Sequence, residues 1–338
     1  MDLQLVWYLL IAVLIAGYAV LDGFDLGIGV LYPFLARDNT ERRVLRRAIG
    51  PFWDGNEVWL LTAGGALFAA FSPVYATVFS GFYLALILVL AGLIFRAVSL
   101  EFRSHDPAWG RFWDAAFIGG SALPALLLGV AAGNIVRGMP LDPAGDFAGS
   151  FFTLLNPFAL LVGVLGLAMF LSHGAAWAAL KSEGALHARA VALRSRLHWA
   201  FVVLLAATTA ATAIAAPDRF SANLTRPLGW ITITALVAGL VLARTAMLRE
   251  HDLLAFAGSA VSAVALVGLW AVGNFPDLVP ARGSAGGESL TAYNASSSDL
   301  TLTVMLAVAA IGVPVVLGYT ALVYRVFRGR VRPEGSGY

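Results

Sequence analysis

Residues 5–35 read LVWYLLIAVLIAGYAVLDGFDLGIGVLYPFL, a run of 31 positions whose only charges are Asp22 and Asp25. About 20 predominantly apolar residues suffice to cross a bilayer as a helix. This stretch therefore reads as a membrane span with two carboxylates inside it. Nothing before it resembles a cleavable leader. The start carries Asp2 instead of a positive n-region, and the apolar run continues past any small-residue cleavage site. The first span is expected to stay in the protein.

The rest of the chain extends this reading. Of 338 residues, 59% are hydrophobic and 12% charged, and mean hydropathy is +0.81. A soluble domain is typically about 45–50% apolar and about 25% charged. The composition excludes an ordinary cytosolic enzyme, a disordered tail and a nucleic-acid-binding domain. The 22 basic and 20 acidic residues nearly balance, so no polyanionic partner is implied. Absence of cysteine excludes disulfides, thiolate zinc sites and iron–sulfur clusters.

Nine stretches are long and apolar enough to span, some with polar interruptions: about 5–35, 52–72, 75–100, 112–137, 151–180, 197–216, 228–248, 253–276 and 300–327. Turn-forming strings such as RDNTERR and APDRF separate them. The longest polar connection, about 277–299, is expected to gain order only against a partner chain. Placing the N-terminus outside puts 18 of the 22 basic residues on the inner side, as the positive-inside bias requires. The expected fold is an all-α integral membrane protein: a single transmembrane domain over residues 1–338, a bundle of nine transmembrane helices, N-terminus outside and C-terminus cytoplasmic. Backbone polar groups in lipid must pair within their own helix, which leaves few alternatives.

Ionisable groups within a span are costly and mark function by default. Asp22 and Asp25 lie three residues apart on the first span and share a face. Asp54 and Glu57 repeat that spacing at the start of the second, with Asn56 between them. Arg96, Glu101 and Arg103 close the third, and Asp114 opens the fourth. All fall in the inner half of the first four helices. One reading is a proton-entry path through a low-dielectric bundle, with an arginine tuning the carboxyls. The other is interfacial: acids favour a helix N-terminus, and Arg96 snorkels.

Haem or metal ligation by this chain is not expected. Four of the five histidines flank inner connections. Only His173 is well placed in a span, where a hydrogen-bonded core role is the more common one. No histidine pair has metal-ligand spacing, and no phosphate loop or nucleophile elbow occurs. Trp7, Trp53, Trp59, Trp109, Trp113 and Trp230 sit near expected span ends, as an interfacial belt would place them. A proton-coupled transporter acting alone is the competing class. It would bring acids near the midplane and inverted repeats, and no inverted repeat is evident.

Several strings carry a resemblance. LDGFDLGIGVL (21–31), GPFWDGNEVWLLTAGGALFAAF (50–71) and FSGFYLALILVLAGLIFRAVSLEFR (79–103) resemble subunit II of the cytochrome bd-type quinol oxidases. So do FIGGSALPALLLGVAAGN (117–134), LLNPFALLVG (154–163), YNASSSDLTLTVM (293–305) and VPVVLGYTALVYRVF (313–327). The likeness is strongest over about 17–140 and 290–328. It implies a terminal oxidase of the cytoplasmic membrane that oxidises quinol and reduces O2 to water. Subunit I of that family carries two haems b and one haem d. Subunit II is haem-free and non-catalytic, packs against subunit I, and helps conduct cytoplasmic protons.

Residue by residue, the resemblance points to Asp54 as the proton-conducting acid and to Asp22 and Asp25 as the family's D-G-F-D pair. Arg96 is implied as a partner for Asp25 or Asp54, with Glu57 and Asp114 shaping the inlet. Some relatives have Gln at the position of Glu57. A structural quinone in this subunit and a small additional single-helix subunit are left open. A purely structural part for the acids, locking helices together, also stays open.

Overall fold

The structure, a computed structural model, describes residues 2–332. Thirteen α-helices follow one another among those residues: α1 (Leu3–Leu35), α2 (Asn39–Ile49), α3 (Trp53–Ala70), α4 (Ser72–Gly81), α5 (Tyr83–His105), α6 (Gly110–Arg137), α7 (Phe151–Leu154), α8 (Pro157–Lys181), α9 (Gly184–Ala215), α10 (Pro217–Thr225), α11 (Pro227–Leu248), α12 (Asp252–Asn274) and α13 (Asp299–Val326). Strands β1 (Asp277–Val279) and β2 (Leu290–Thr291) pair antiparallel. Eight helices are long and apolar enough to cross a membrane: α1, α5, α6, α8, α9, α11, α12 and α13. The chain is a multi-pass helical membrane protein. Helix α3 is 18 residues long, and Asp54, Asn56 and Glu57 in its first turns lower its hydropathy.

Local chemistry sets the boundaries. Asp2 caps α1 by accepting from Leu5 N at 2.9 Å, and Asp38 caps α2 through Glu41 N at 2.8 Å. Helix α2 is amphipathic. Val44, Leu45, Ala48 and Ile49 are buried, while four arginines occupy its remaining positions. The expected span 75–100 is divided at Phe82, whose ring is buried with Trp7, Phe71 and Met139 and anchors a break between α4 and α5. The expected span 151–180 is likewise divided: Asn156 caps α8 by accepting from Ala159 N at 3.0 Å, and Pro157 takes the first helical position. Helix α9 starts 13 residues before the expected 197, because its Arg-rich first half continues the helix beyond the apolar stretch.

Helix α1 is the axis of the bundle and packs on α3, α6, α8 and α12. Its closest approach is to α8. A Cβ on Gly27 would lie 2.0 Å from the Phe170 carbonyl oxygen, and one on Gly174 would lie 2.6 Å from the Gly27 carbonyl carbon. Only glycine on both helices permits this backbone contact.

The connection 277–299 was expected to order against a partner, but it folds within the chain. Beyond the β1–β2 pairing, Ser297 donates its N–H to Ala70 O at 2.8 Å and its hydroxyl to Ala69 O at 2.6 Å. Helix α13 is held at its ends. Trp7 Nε1 donates to Leu302 O at 3.0 Å, and Lys181 Nζ donates to Phe327 O at 2.5 Å and Gly329 O at 3.2 Å just beyond the helix. Leu302 is its one fully buried residue.

Candidate functional site: a buried charge array

Tyr18, Asp22 and Asp25 recur at intervals of four and three, which stacks them along one face of α1. Opposite that face lie the first turns of α3, with Asn56 and Glu57, and the C-terminal half of α5, with Arg96. Arg96 and Asp22 are both 0% exposed, and Arg96 Nη2 lies 2.7 Å from Asp22 Oδ1. The same nitrogen lies 3.5 Å from Glu57 Oε1, and the Glu57 side chain is 18% exposed. At 2.7 Å the Arg96–Asp22 contact is a wholly buried ion pair.

Asp25 faces a different neighbour. Asn56 Nδ2 donates to Asp25 Oδ2 at 2.8 Å and to Leu21 O at 2.9 Å. Tyr324, from the far end of α13, donates its hydroxyl to Asn56 Oδ1 at 3.3 Å. Among the described residues, Asp25 Oδ1 and Trp59 Nε1 are buried with no hydrogen-bond partner. Asn56 thus spends its whole amide on holding α1, α3 and α13 together. Replacing Asn56 by Ala leaves the buried Asp25 carboxyl without its Asn56 donor, while the Leu21 carbonyl keeps its bond within α1. An expected loss of about 1–3 kcal/mol follows from the cost of an orphaned buried polar group. Thermal unfolding of the purified complex checks this, and an unchanged midpoint would contradict the bridging role.

The structure corrects two expectations about this cluster. Arg96 pairs with Asp22 and Glu57, not with Asp25 or Asp54. Residues three apart on a helix are rotated by about 60°; Asp22 therefore points to α5, while Asp25 points to Asn56 of α3. Asp54 lies outside the array. It is exposed, shares the outer face of α3 with Gly55, Val58 and Leu61, and makes no hydrogen bond or ion pair among the described residues. Glu57, one turn on, turns inward.

Asp114 belongs to a second, separate cluster. Its carboxylate accepts from Arg42 Nη1 at 2.8 Å and from Arg103 Nε at 2.8 Å, which joins α2, α5 and α6. His173 is buried with both ring nitrogens engaged, Nδ1 with Ser259 Oγ at 2.7 Å and Nε2 with Val20 O at 3.0 Å. Its ring stacks on Phe256 at 4.6 Å. That arrangement leaves no nitrogen for a metal, and His173 does not fit a haem ligand. Among the described residues no group of three or more His, Cys, Asp or Glu is placed to hold a metal ion. Of the tryptophans expected at an interfacial belt, Trp109 and Trp230 are exposed. Trp7 and Trp59 instead fill the core.

Reasoning from sequence missed three members of the array. Tyr18 carried a usable signal, since it sits four residues before Asp22 on the same face. Asn56 was noticed only as a spacer between two acids. Tyr324 carried no signal, being 268 positions from its partner.

Comparison with known proteins places these residues in a family. Residues 3–327 match the model of the cytochrome bd terminal oxidase subunit II family. The chain is 38% identical to the cytochrome bd-I ubiquinol oxidase subunit 2 of Escherichia coli (strain K12), over 98% of this chain and 96% of that protein. It is 36% identical to the cytochrome bd ubiquinol oxidase subunit 2 of Bacillus subtilis (strain 168), over 96% of each. In three dimensions it is similar to a chain of the bd oxidase from Geobacillus thermodenitrificans, with a TM-score of 0.78 over 97% of this chain and 99% of that one. At 17% identity this second likeness speaks for the fold. With a family model spanning nearly its whole length and relatives this similar, the chain belongs to the cytochrome bd terminal oxidase subunit II family.

Proposed function

We propose that the chain is the haem-free subunit of a quinol:O2 oxidoreductase and that it supplies cytoplasmic protons to the oxygen-reducing haem of its partner. In this reading α3 is a ninth span, the N-terminus lies outside and the C-terminus inside. That orientation keeps 18 of 22 basic residues on the cytoplasmic side. Subunit I holds the two haems b and the haem d, and quinol and O2 react there. Haem supplies the electron transfer and oxygen reduction; this chain's residues move and hold protons.

The observation that carries the reading is the position of Glu57. Its carboxyl reaches the surface at one end and touches the wholly buried Arg96–Asp22 pair at the other. Asp54, one turn earlier on the exposed face of α3, would collect protons, and Glu57 would pass them inward. Three carboxyls (Asp22, Asp25 and Glu57) gather near one guanidinium, and two of them, Asp22 and Glu57, contact it. Uncompensated charge is costly in such a site, so the array has the capacity to take up protons. Arg96 fixes Asp22 and sets the field around the other two.

The test is oxygen uptake with reduced quinol by the intact complex carrying Glu57→Gln or Asp54→Asn. Turnover is expected to fall about tenfold or more with haem content kept, since a positioned proton-transfer group contributes roughly 10²–10⁴ in rate. Normal turnover with normal haem content in Glu57→Gln would remove the relay. The complete sealing of Asp22 and Arg96 favours a second reading, in which the pair only locks α1 to α5. Loss of haem together with turnover would support that one.

A further inference from the structure

Helix α5 ends at His105 and α6 starts at Gly110, and both are long and apolar enough to cross the membrane. Residues 106–109 therefore turn the chain at the membrane–water boundary. Beside this turn lies a cavity of about 550 Å³, whose walls include Asn39, Arg42, Arg103, Trp109, Arg111 and Asp114. Three arginines surround one carboxylate. Asp114 is already used by Arg42 and Arg103, and Arg103 Nη2 also donates to Asn39 Oδ1 at 3.2 Å. Arg111 has no ion-pair partner among the described residues, and Arg42 Nε is buried without a hydrogen bond. Two positive charges are left over around an open cleft.

Other features add to the same potential. A Cβ on Gly110 would lie 2.9 Å from the Arg103 guanidinium carbon, so glycine there lets the guanidinium rest against the first turn of α6. No side chain caps that turn, and the helix dipole adds to the positive potential there. Trp109 is 62% exposed beside the cavity, at the depth where tryptophan prefers lipid headgroups.

We propose that this cavity binds a phosphate group, and that an anionic phospholipid carries it. The chemistry follows from the donor set. Guanidinium forks match phosphate oxygens in pairs, and basic pockets between membrane helices select acidic headgroups. Asp114 does not ligate the phosphate; it orients Arg42 and Arg103 around the space. The exposed indole of Trp109 faces the region that the glycerol and upper acyl chain of a lipid would occupy. A free phosphate ion has no use for it. The site is separate from the Asp22–Arg96 array and does not depend on proton conduction.

The experiment uses the intact complex, depleted of lipid in detergent and titrated with phosphatidylglycerol, phosphatidylcholine or inorganic phosphate. Bound ligand is counted by native mass spectrometry, with haem content as the check on assembly. Saturable retention of phosphatidylglycerol is expected, stronger than that of phosphatidylcholine. Arg111→Ala is expected to weaken it about fivefold, the contribution of one basic residue near a lipid surface. Trp109→Ala should weaken lipid retention and leave inorganic phosphate unaffected. Equal phosphatidylglycerol retention by the unaltered and Arg111→Ala complexes would overturn the site. Occupancy by inorganic phosphate with none by phosphatidylglycerol would overturn the lipid as its source. If Arg111→Ala fails to assemble, Arg111→Gln, which removes the charge and keeps much of the side-chain length, is read by the same criterion.

Discussion

Replacing Arg96 by Leu should be among the most damaging single changes to this protein. The guanidinium is wholly buried, 2.7 Å from a wholly buried Asp22 and 3.5 Å from Glu57. Removing it leaves carboxyls in a low-dielectric bundle with no cation. Breaking one side of a buried ion pair costs about 3–5 kcal/mol. The complex is expected to lose most of its yield, or to unfold at a clearly lower temperature. The double change Arg96→Leu with Asp22→Leu removes both charges and is expected to recover a large part of that loss. Recovery is expected because the desolvation of a buried ion pair offsets much of its attraction, so apolar replacements of similar volume sacrifice little. Equal instability in the single and double variants would show that Arg96 acts through its bulk or its other neighbours instead.

The second large effect is steric. Gly27→Val puts a branched Cβ where 2.0 Å separates that position from the Phe170 carbonyl oxygen. A backbone oxygen on a helix cannot swing aside as a flexible side chain does, so α1 and α8 must separate along their length. Overpacking of this kind costs about 1–3 kcal/mol where neighbours can shift, and more where they cannot. Thermal unfolding of the purified complex is the measurement. Gly119→Ala is the control. A Cβ at Gly119 meets nothing within 4 Å in this chain, and Ala favours the helix over Gly by about 1 kcal/mol. No loss is expected for Gly119→Ala, and a loss as large as that of Gly27→Val would show that the damage does not come from the α1–α8 approach.

Much of the architecture could be read from hydropathy, because lipid forces each span to satisfy its own backbone. Eight of the nine expected spans are helices of membrane-crossing length and polarity. The ninth, α3, is a helix as expected, with the acids of its first turns weighing against its apolar remainder. Breaks inside spans were less visible. The Phe82 break depends on which distant aromatic rings meet it. The Asn156 cap was readable in principle, since Asn followed by Pro is a helix-start signal. The composition of the site was legible as well: Asp22, Asp25, Glu57 and Arg96 do gather. Its wiring was not. Spacing places Asp54 and Glu57 within one turn of each other, but only the packing of α3 on α1 decides which of them faces inward. Likewise, nothing local tells Arg96 to choose Asp22 over Asp25.

The attachment of α13 has a consequence for how the protein is made. Tyr324, which completes the bridge to Asn56, lies near the end of the chain, and Trp7, which donates to the Leu302 carbonyl, lies near its start. Translation delivers these partners hundreds of residues apart. While the ribosome is still producing α12, the Asn56 amide that holds Asp25 is already in the membrane with its Tyr324 donor missing. Closure of the array therefore waits for the final helix, and a product cut short before it would hold acids in an open bundle, a ready signal for quality-control proteases.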